Sequence, residues 1–139
     1  LEYKLTKTGY VVHLQRGEEI FSSLLDFARK EKVGSAWING LGGVDEAELG
    51  FYDLAKKDYL RKQLKEELEL VQVVGNLAHH DGKAVLHMHA TLGDDKFHTY
   101  SGHLFSGKIS IVGEFFLIPL DIDLKRSFND FFRLNLIDI

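Results

Sequence analysis

The stretch ELELVQVVGNLAHHDGKAVLHMHATL, residues 67–92, decides the fold. Two runs rich in Val and Leu flank the turn signal His79-His80-Asp81-Gly82-Lys83. An Asp-Gly step between β-favouring runs marks a tight antiparallel hairpin, because glycine and aspartate accept the backbone angles that such a turn needs. Similar patterns lie on both sides. GYVVHLQ (9–15) is short and β-favouring, SAWINGLGG (35–43) reads as a strand entering a flexible turn, and AELGFYDL (47–54) reads as its hairpin neighbour. HMHATL and FHTYSGHLF are expected to pair around Gly93-Asp94-Asp95-Lys96. KISIVGEFFLIPLDI (108–122) supplies a further long strand, and RLNLIDI (133–139) a final edge strand. KKDYLRKQLKEE (56–67) reads as either a short irregular helix or a polar excursion.

One segment changes period. In RGEEIFSSLLDFARKEKV (16–33), Ile20, Phe21, Leu24, Leu25 and Ala28 recur at helical spacing, with Phe27 widening the stripe. Glu18 and Glu19 fall in the expected first turn, where free amides favour negative charge, and Gly34 is the expected stop. Roughly seven strands around a principal helix predict a compact α+β domain with a mostly antiparallel sheet, spanning residues 1–139 as a single unit. Open strand edges in so small a domain make subunit association a physical expectation.

Composition narrows the chemistry. The chain has 139 residues, 45% apolar, with ten phenylalanines and one proline, which is ample side-chain surface to offset the entropy of folding. It has no cysteine, so disulfides, thiolate zinc sites and cysteine nucleophiles are excluded, and any metal must be held by imidazole and oxygen. A net charge of −4 argues against broad attraction to nucleic acid, which depends on neutralising phosphates. The longest apolar run, IVGEFFLIPL, is too short to span a bilayer, and no export pattern opens the sequence, so a cytoplasmic location without membrane contact is expected. Gly40, Gly42 and Gly43 are read as turn or close-packing residues rather than a phosphate cradle, and neither GxxxxGK[ST] nor GxGxxG occurs.

Four of the seven histidines lie within residues 84–107. On a strand, His87 and His89 point the same way with Cα atoms about 6–7 Å apart, so their rings can converge on one ion. His103 is the third candidate. A hairpin centred on Asp95 places it opposite His87 and puts all three on one face, whereas a turn centred between Asp94 and Asp95 sets His98 against Thr91 and sends His103 to the other face. Three imidazoles with an open position suit zinc, and also nickel, copper or iron. His79 and His80 are expected as exposed turn residues, and His13 and His98 as structural or surface residues. Glu69 and Glu114, each in an apolar β-like run, can orient a ligating imidazole or act as a general base, or can simply face solvent. Ser101 lacks the strand-to-helix elbow that presents a nucleophile.

The ordered blocks RGEEIFSSLLDFARKEKV, AWINGLGGVDEAELGFYD, LELVQVVGNLAHHDGKAVLHMHATLG and SGHLFSG resemble the plant-and-prokaryote-conserved (PPC) domain over about residues 9–125. Bacterial and archaeal proteins of that family carry a provisional DNA-binding label through their relation to plant AT-hook proteins. The resemblance implies a compact α+β unit assembled as a homotrimer. It carries the HxH pair onto His87 and His89, the histidine of GGHL onto His103, and the ELxxxxGN block onto Glu69, Gly75 and Asn76. Metal-bound members imply the three histidines as ligands. Two departures stand out: Ser101 replaces the first glycine of GGHL, and no arginine-glycine-proline hook is present, Pro119 being the sole proline. The function implied is a homotrimeric assembly or regulatory domain with a histidine-lined site for a divalent metal, zinc first, or a small ligand. A regulatory protein is a further partner, and direct DNA binding is left open. The alternative is a metal-dependent enzyme acting on an unidentified small molecule.

Overall fold

A computed structural model describes all of residues 1–139. In chain order the elements are β1 (Glu2–Leu5), β2 (Tyr10–Gln15), α1 (Ile20–Glu31), β3 (Ala36–Asp53), β4 (Asp58–Leu64), β5 (Leu68–His80), β6 (Lys83–Gly93), β7 (Thr99–Pro119), β8 (Lys125–Asn129) and β9 (Leu134–Asp138). The single sheet runs β1-β2-β7-β3-β5-β8-β9, with β4 added on β3 and β6 bridging β5 and β7. Every pairing is antiparallel except a single contact, His79 with Lys125, between β5 and β8. The α+β class and the single principal helix are therefore as expected.

Pairing of β3 with β5, β5 with β6, β6 with β7 and β7 back to β3 makes a closed circuit. Alternation then sends one face of each strand inward. Ile38, Leu70, Val73, Leu77, Met88, Leu92, Leu104, Ile109 and Phe115 are fully or almost fully buried there. Helix α1 adds Ile20, Leu24, Phe27 and Ala28 to the same core. The outer face of the circuit is where the histidines lie.

Several local expectations are corrected. SAWINGLGG and AELGFYDL are not two strands of a hairpin but parts of the 18-residue β3. Their glycines serve close packing: a Cβ on Gly40 would stand 2.4 Å from the Phe115 ring, and one on Gly42 2.1 Å from the Val112 carbonyl oxygen. The chain bends at irregular register steps and continues instead of turning back. KKDYLRKQLKEE contributes β4, because pairing with β3 satisfies its backbone while its charged side chains stay in solvent. TYSGHLF and KISIVGEFFLIP merge into the 21-residue β7.

At the helix, Glu19 is the N-cap, its carboxylate accepting from Ser22 N at 2.8 Å, and Glu18 lies outside, paired with the N-terminal amine and with Gln15 N. Lys32, in a left-handed conformation, closes the helix two residues before Gly34. No helix is long and apolar enough to cross a membrane.

Candidate functional site

The site grows from the β5–β6 hairpin. In β6, Met88, Ala90 and Leu92 enter the core, so His87 and His89 project from the opposite face. The connection from β6 to β7 then decides where His103 goes. Asp94 governs that connection: its carboxylate accepts from the backbone N–H groups of Lys96 and His98 and lies 3.1 Å from His98 Nδ1. Backbone bonds from Asp94 N to His98 O and from Phe97 N to Asp94 O close the loop, with Phe97 at φ 64°. Five residues, 94–98, therefore separate Gly93 from its partner Thr99.

The resulting register sets His89 opposite His103 and Ser101 opposite Thr91. This corrects both hairpin centres drawn from the sequence. Relative to the turn centred on Asp95, the strand has slipped by two residues, and an even slip preserves the face, so His103 still joins the other two histidines.

The three rings meet closely. Centroids are 5.2 Å apart for His87 and His89, 5.0 Å for His87 and His103, and 5.5 Å for His89 and His103. Their candidate ligand nitrogens all lie within 4.8 Å of one another. A tetrahedral ion with bonds of about 2.0–2.1 Å needs nitrogens about 3.3 Å apart, so small inward rotations of the rings suffice. His87 and His103 are half-buried and His89 is exposed. Burial, then the Arg126 guanidinium and His89, pushes His87 down to about 4. Burial, then His87 and His89, pushes His103 to about 4 as well. Both are neutral imidazoles at neutral pH, the form that donates a lone pair. The buried His103 Nδ1 has no hydrogen-bond partner, which is costly unless something supplies one. An ion that takes imidazole ligands fits this donor set.

The glycines around the cluster let the strands come close. A Cβ on Gly75 would stand 2.2 Å from the His87 carbonyl oxygen, and one on Gly102 2.6 Å from that of Gly50. Gly102, the glycine of the SGHL element, is thus required, whereas Ser101 is exposed.

Three neighbours complete the cluster; Phe105, two residues from His103 on one strand, shares its face by strand alternation, whereas Tyr59 and Arg126 have no local signal in the sequence. Tyr59 of β4 packs on His103 with ring centroids 5.0 Å apart, and burial raises its phenol above the ordinary range. Phe105 lies 4.6 Å from His103 on the same measure. Arg126 of β8 donates through Nη2 to Asn76 Oδ1 at 2.8 Å, and the same nitrogen lies 3.1 Å from His87 Nδ1. Tertiary pairing alone brings β4 and β8 here.

Other sequence candidates fall elsewhere. Glu69 and Glu114 are exposed and do not belong to the cluster, so no carboxylate orients these imidazoles. His79 and His80 end β5 as half-buried residues rather than exposed turn residues: His79 lies 3.7 Å from Asp123, and His80 Nδ1 lies 2.9 Å from the Arg126 carbonyl oxygen. His98 stays in the loop against Asp94, and His13 sits on β2 opposite Glu114. The largest cavity, about 550 Å³ beside the end of α1, contains none of the three clustered histidines.

A family model described as the Plants and Prokaryotes Conserved (PCC) domain matches residues 2–121. Among solved structures, a protein from Bacteroides thetaiotaomicron with a provisional DNA-binding designation is similar at a TM-score of 0.94 and 29% identity, over 99% of this chain and 96% of its own. A protein from Archaeoglobus fulgidus described as metal-containing is 31% identical at a TM-score of 0.87, over 99% and 97% of the two chains. A plant- and prokaryote-conserved protein from Pyrococcus horikoshii is 29% identical at a TM-score of 0.88, over 99% and 95%. Comparison with curated proteins gives no match.

Proposed function

The chain belongs to the Plants and Prokaryotes Conserved domain family, and from that premise we propose that it is a homotrimeric assembly or regulatory domain holding a divalent metal, zinc foremost, at His87, His89 and His103. The observation that carries the metal is the convergence of three imidazoles, two of them held neutral and one, His103, with a buried nitrogen that has no partner. Similarity to a protein described as metal-containing supports the same reading. When bound, such an ion supplies Lewis acidity at its open position. His89 is exposed and provides the route of entry, while His87 and His103 anchor the site from their half-buried positions.

The assembly reading draws on the outer face of the central strands. Trp37 stands opposite Ile118, with Leu41 and Phe116 on the same face, and these four are 44–49% exposed. A half-exposed apolar patch of this kind, though shared with Asn39 opposite Phe116 and Glu114 opposite Leu41, favours contact with another subunit. The proposed partners are further copies of the chain and a regulatory protein or small molecule, in the cytoplasm. Association with DNA through the assembled particle follows the designation of the Bacteroides relative, since the net charge of −4 gives little phosphate attraction by itself. Catalysis on a small molecule is the weaker reading, because no carboxylate stands at the cluster as a base.

Elemental analysis of protein purified without chelators, followed by zinc titration of the wild type and of His87→Ala, His89→Ala and His103→Ala, tests the metal. Each substitution is expected to weaken uptake beyond the about 10–100-fold typical of losing a supporting group. Equal uptake by all four proteins would falsify the assignment.

A further inference from the structure

Arg126 is a cation without an anion. None of the chain's ion pairs includes it. Its guanidinium instead donates to Asn76 Oδ1 and, at 2.9 Å, to the Asn135 carbonyl oxygen, while its buried Nε has no partner. Asp81, Asp123 and Asp138 line a second cavity together with Arg126 but none pairs with it; His80 lies by Asp81, and His79 and Lys125 lie by Asp123. By contrast Arg61, the other arginine near His103, has Glu48 at 3.4 Å. A partly desolvated guanidinium with no carboxylate at ion-pair distance is costly unless a ligand supplies the negative charge.

The contact with His87 makes the point sharper. Arg126 Nη2 can only donate, so His87 Nδ1 must accept and His87 Nε2 carries the proton. A metal on Nδ1 would take the lone pair that Arg126 uses. A metal on Nε2 would move the proton to Nδ1 and set two donors against each other. Whichever nitrogen binds the ion, ligation by His87 drives Arg126 off the ring and frees an Nη2 N–H of its planar fork.

That fork opens on a cavity of about 190 Å³. Leu86, Leu134, Leu136 and Tyr59 line it as apolar walls, and His80, His87, Arg126 and Asn135 supply its polar groups. A guanidinium fork matches a carboxylate through two parallel hydrogen bonds, and the walls suit an uncharged carbon skeleton. We infer that this cavity binds a small carboxylate on an apolar body, with Arg126 taking the carboxylate next to His87. Its two-bond grip and its coupling to metal rest on the three-histidine reading above; a single charge-assisted bond to a carboxylate in the metal-free protein does not.

Benzoate is the probe, with benzyl alcohol as its uncharged counterpart and inorganic phosphate as a rival anion. Calorimetry measures benzoate binding to metal-free and Co²⁺-loaded wild type, Arg126→Gln and Arg126→Lys, and the visible absorption of Co²⁺ reports metal uptake. Arg126→Gln should bind benzoate at least about tenfold more weakly, as expected for losing charge-assisted hydrogen bonds, while taking up Co²⁺ as tightly as wild type or more so. Arg126→Lys, which keeps the charge without the fork, should fall between them and replaces the glutamine variant if that protein does not fold. Benzyl alcohol and phosphate should not compete. Equal benzoate affinity in wild type and Arg126→Gln, or displacement of benzoate by phosphate, overturns the inference. Failure of every protein to take up Co²⁺ refutes the metal reading alone, because Arg126-dependent benzoate binding to metal-free protein still decides the carboxylate site.

Discussion

Gly75→Ala tests whether the backbone beneath His87 is as tightly built as the geometry requires. The new Cβ would stand 2.2 Å from the His87 carbonyl oxygen, 2.6 Å from Met88 Cγ and 2.8 Å from Met88 Cα. Met88 Cγ can swing aside, but the other two atoms belong to the backbone of β6. Side-chain carbons essentially never approach closer than 3.0 Å, so β6 must recede by about 1 Å at the position that carries His87. Overpacking of this kind costs about 1–3 kcal/mol. Loosening one or two ladder hydrogen bonds adds about 1 kcal/mol each. A total near 3 kcal/mol lowers the melting temperature of a domain this size by about 10 °C. Gly93→Ala, at the end of the partner strand β6, is the control, since its Cβ would meet only Val71 Cγ2 at 3.5 Å and Glu69 Cβ at 3.9 Å. Both variants are measured by urea and thermal unfolding at fixed protein concentration, because association contributes to apparent stability. A Gly75→Ala protein within about 1 kcal/mol of wild type, or a Gly93→Ala protein that loses more, would refute the close-approach argument.

Metal-free protein should lose stability as the pH falls from about 6.5 towards 4. Burial and neighbouring cations hold His87 and His103 down to about 4, so below 6.5 the unfolded chain takes up protons that the folded chain refuses. Urea midpoints at pH 7 and pH 5 check this, and His103→Gln should show a shallower fall; an identical slope in the variant would sink the linkage. Trp37→Glu, placing a charge in the apolar outer patch opposite Ile118, should shift the particle from trimer towards monomer in light scattering while circular dichroism stays native. A wild type that scatters as a monomer at all concentrations would remove the trimer outright.

Local pattern is enough wherever one element's own period settles the matter. The apolar stripe from Ile20 to Ala28 specifies α1, since a helix needs one buried face and its neighbours lie three or four residues away. The Asp81-Gly82 turn specifies the β5–β6 hairpin, and the strict period of two places His87 and His89 on one face whatever else the chain does. His103 joins them because a strand slip of two residues leaves faces unchanged, so the face is legible where the register is not.

The rest depends on contacts between segments far apart in the chain. The register of β6 with β7 is set by a carboxylate, Asp94, folding back onto His98, and pattern does not reveal which amides a side chain will reach. The polar run at 56–67 becomes β4 only because β3 offers it an unpaired edge. For Gly40 and Gly42 the sequence leaves turn and close packing both open, and only Phe115 and Val112 brought against them decide for close packing. Arg126 reaches His87 from 39 residues away because β8 docks beside β5 at His79, and no periodicity in either strand encodes that meeting. Sequence periodicity thus determined the helix, the hairpin and the shared face of His87 and His89. Long-range packing decided the partner of His103, the open cation beside His87 and the cavity that those two line, because these follow from closure of the sheet circuit and docking of β8 rather than from any one strand's pattern.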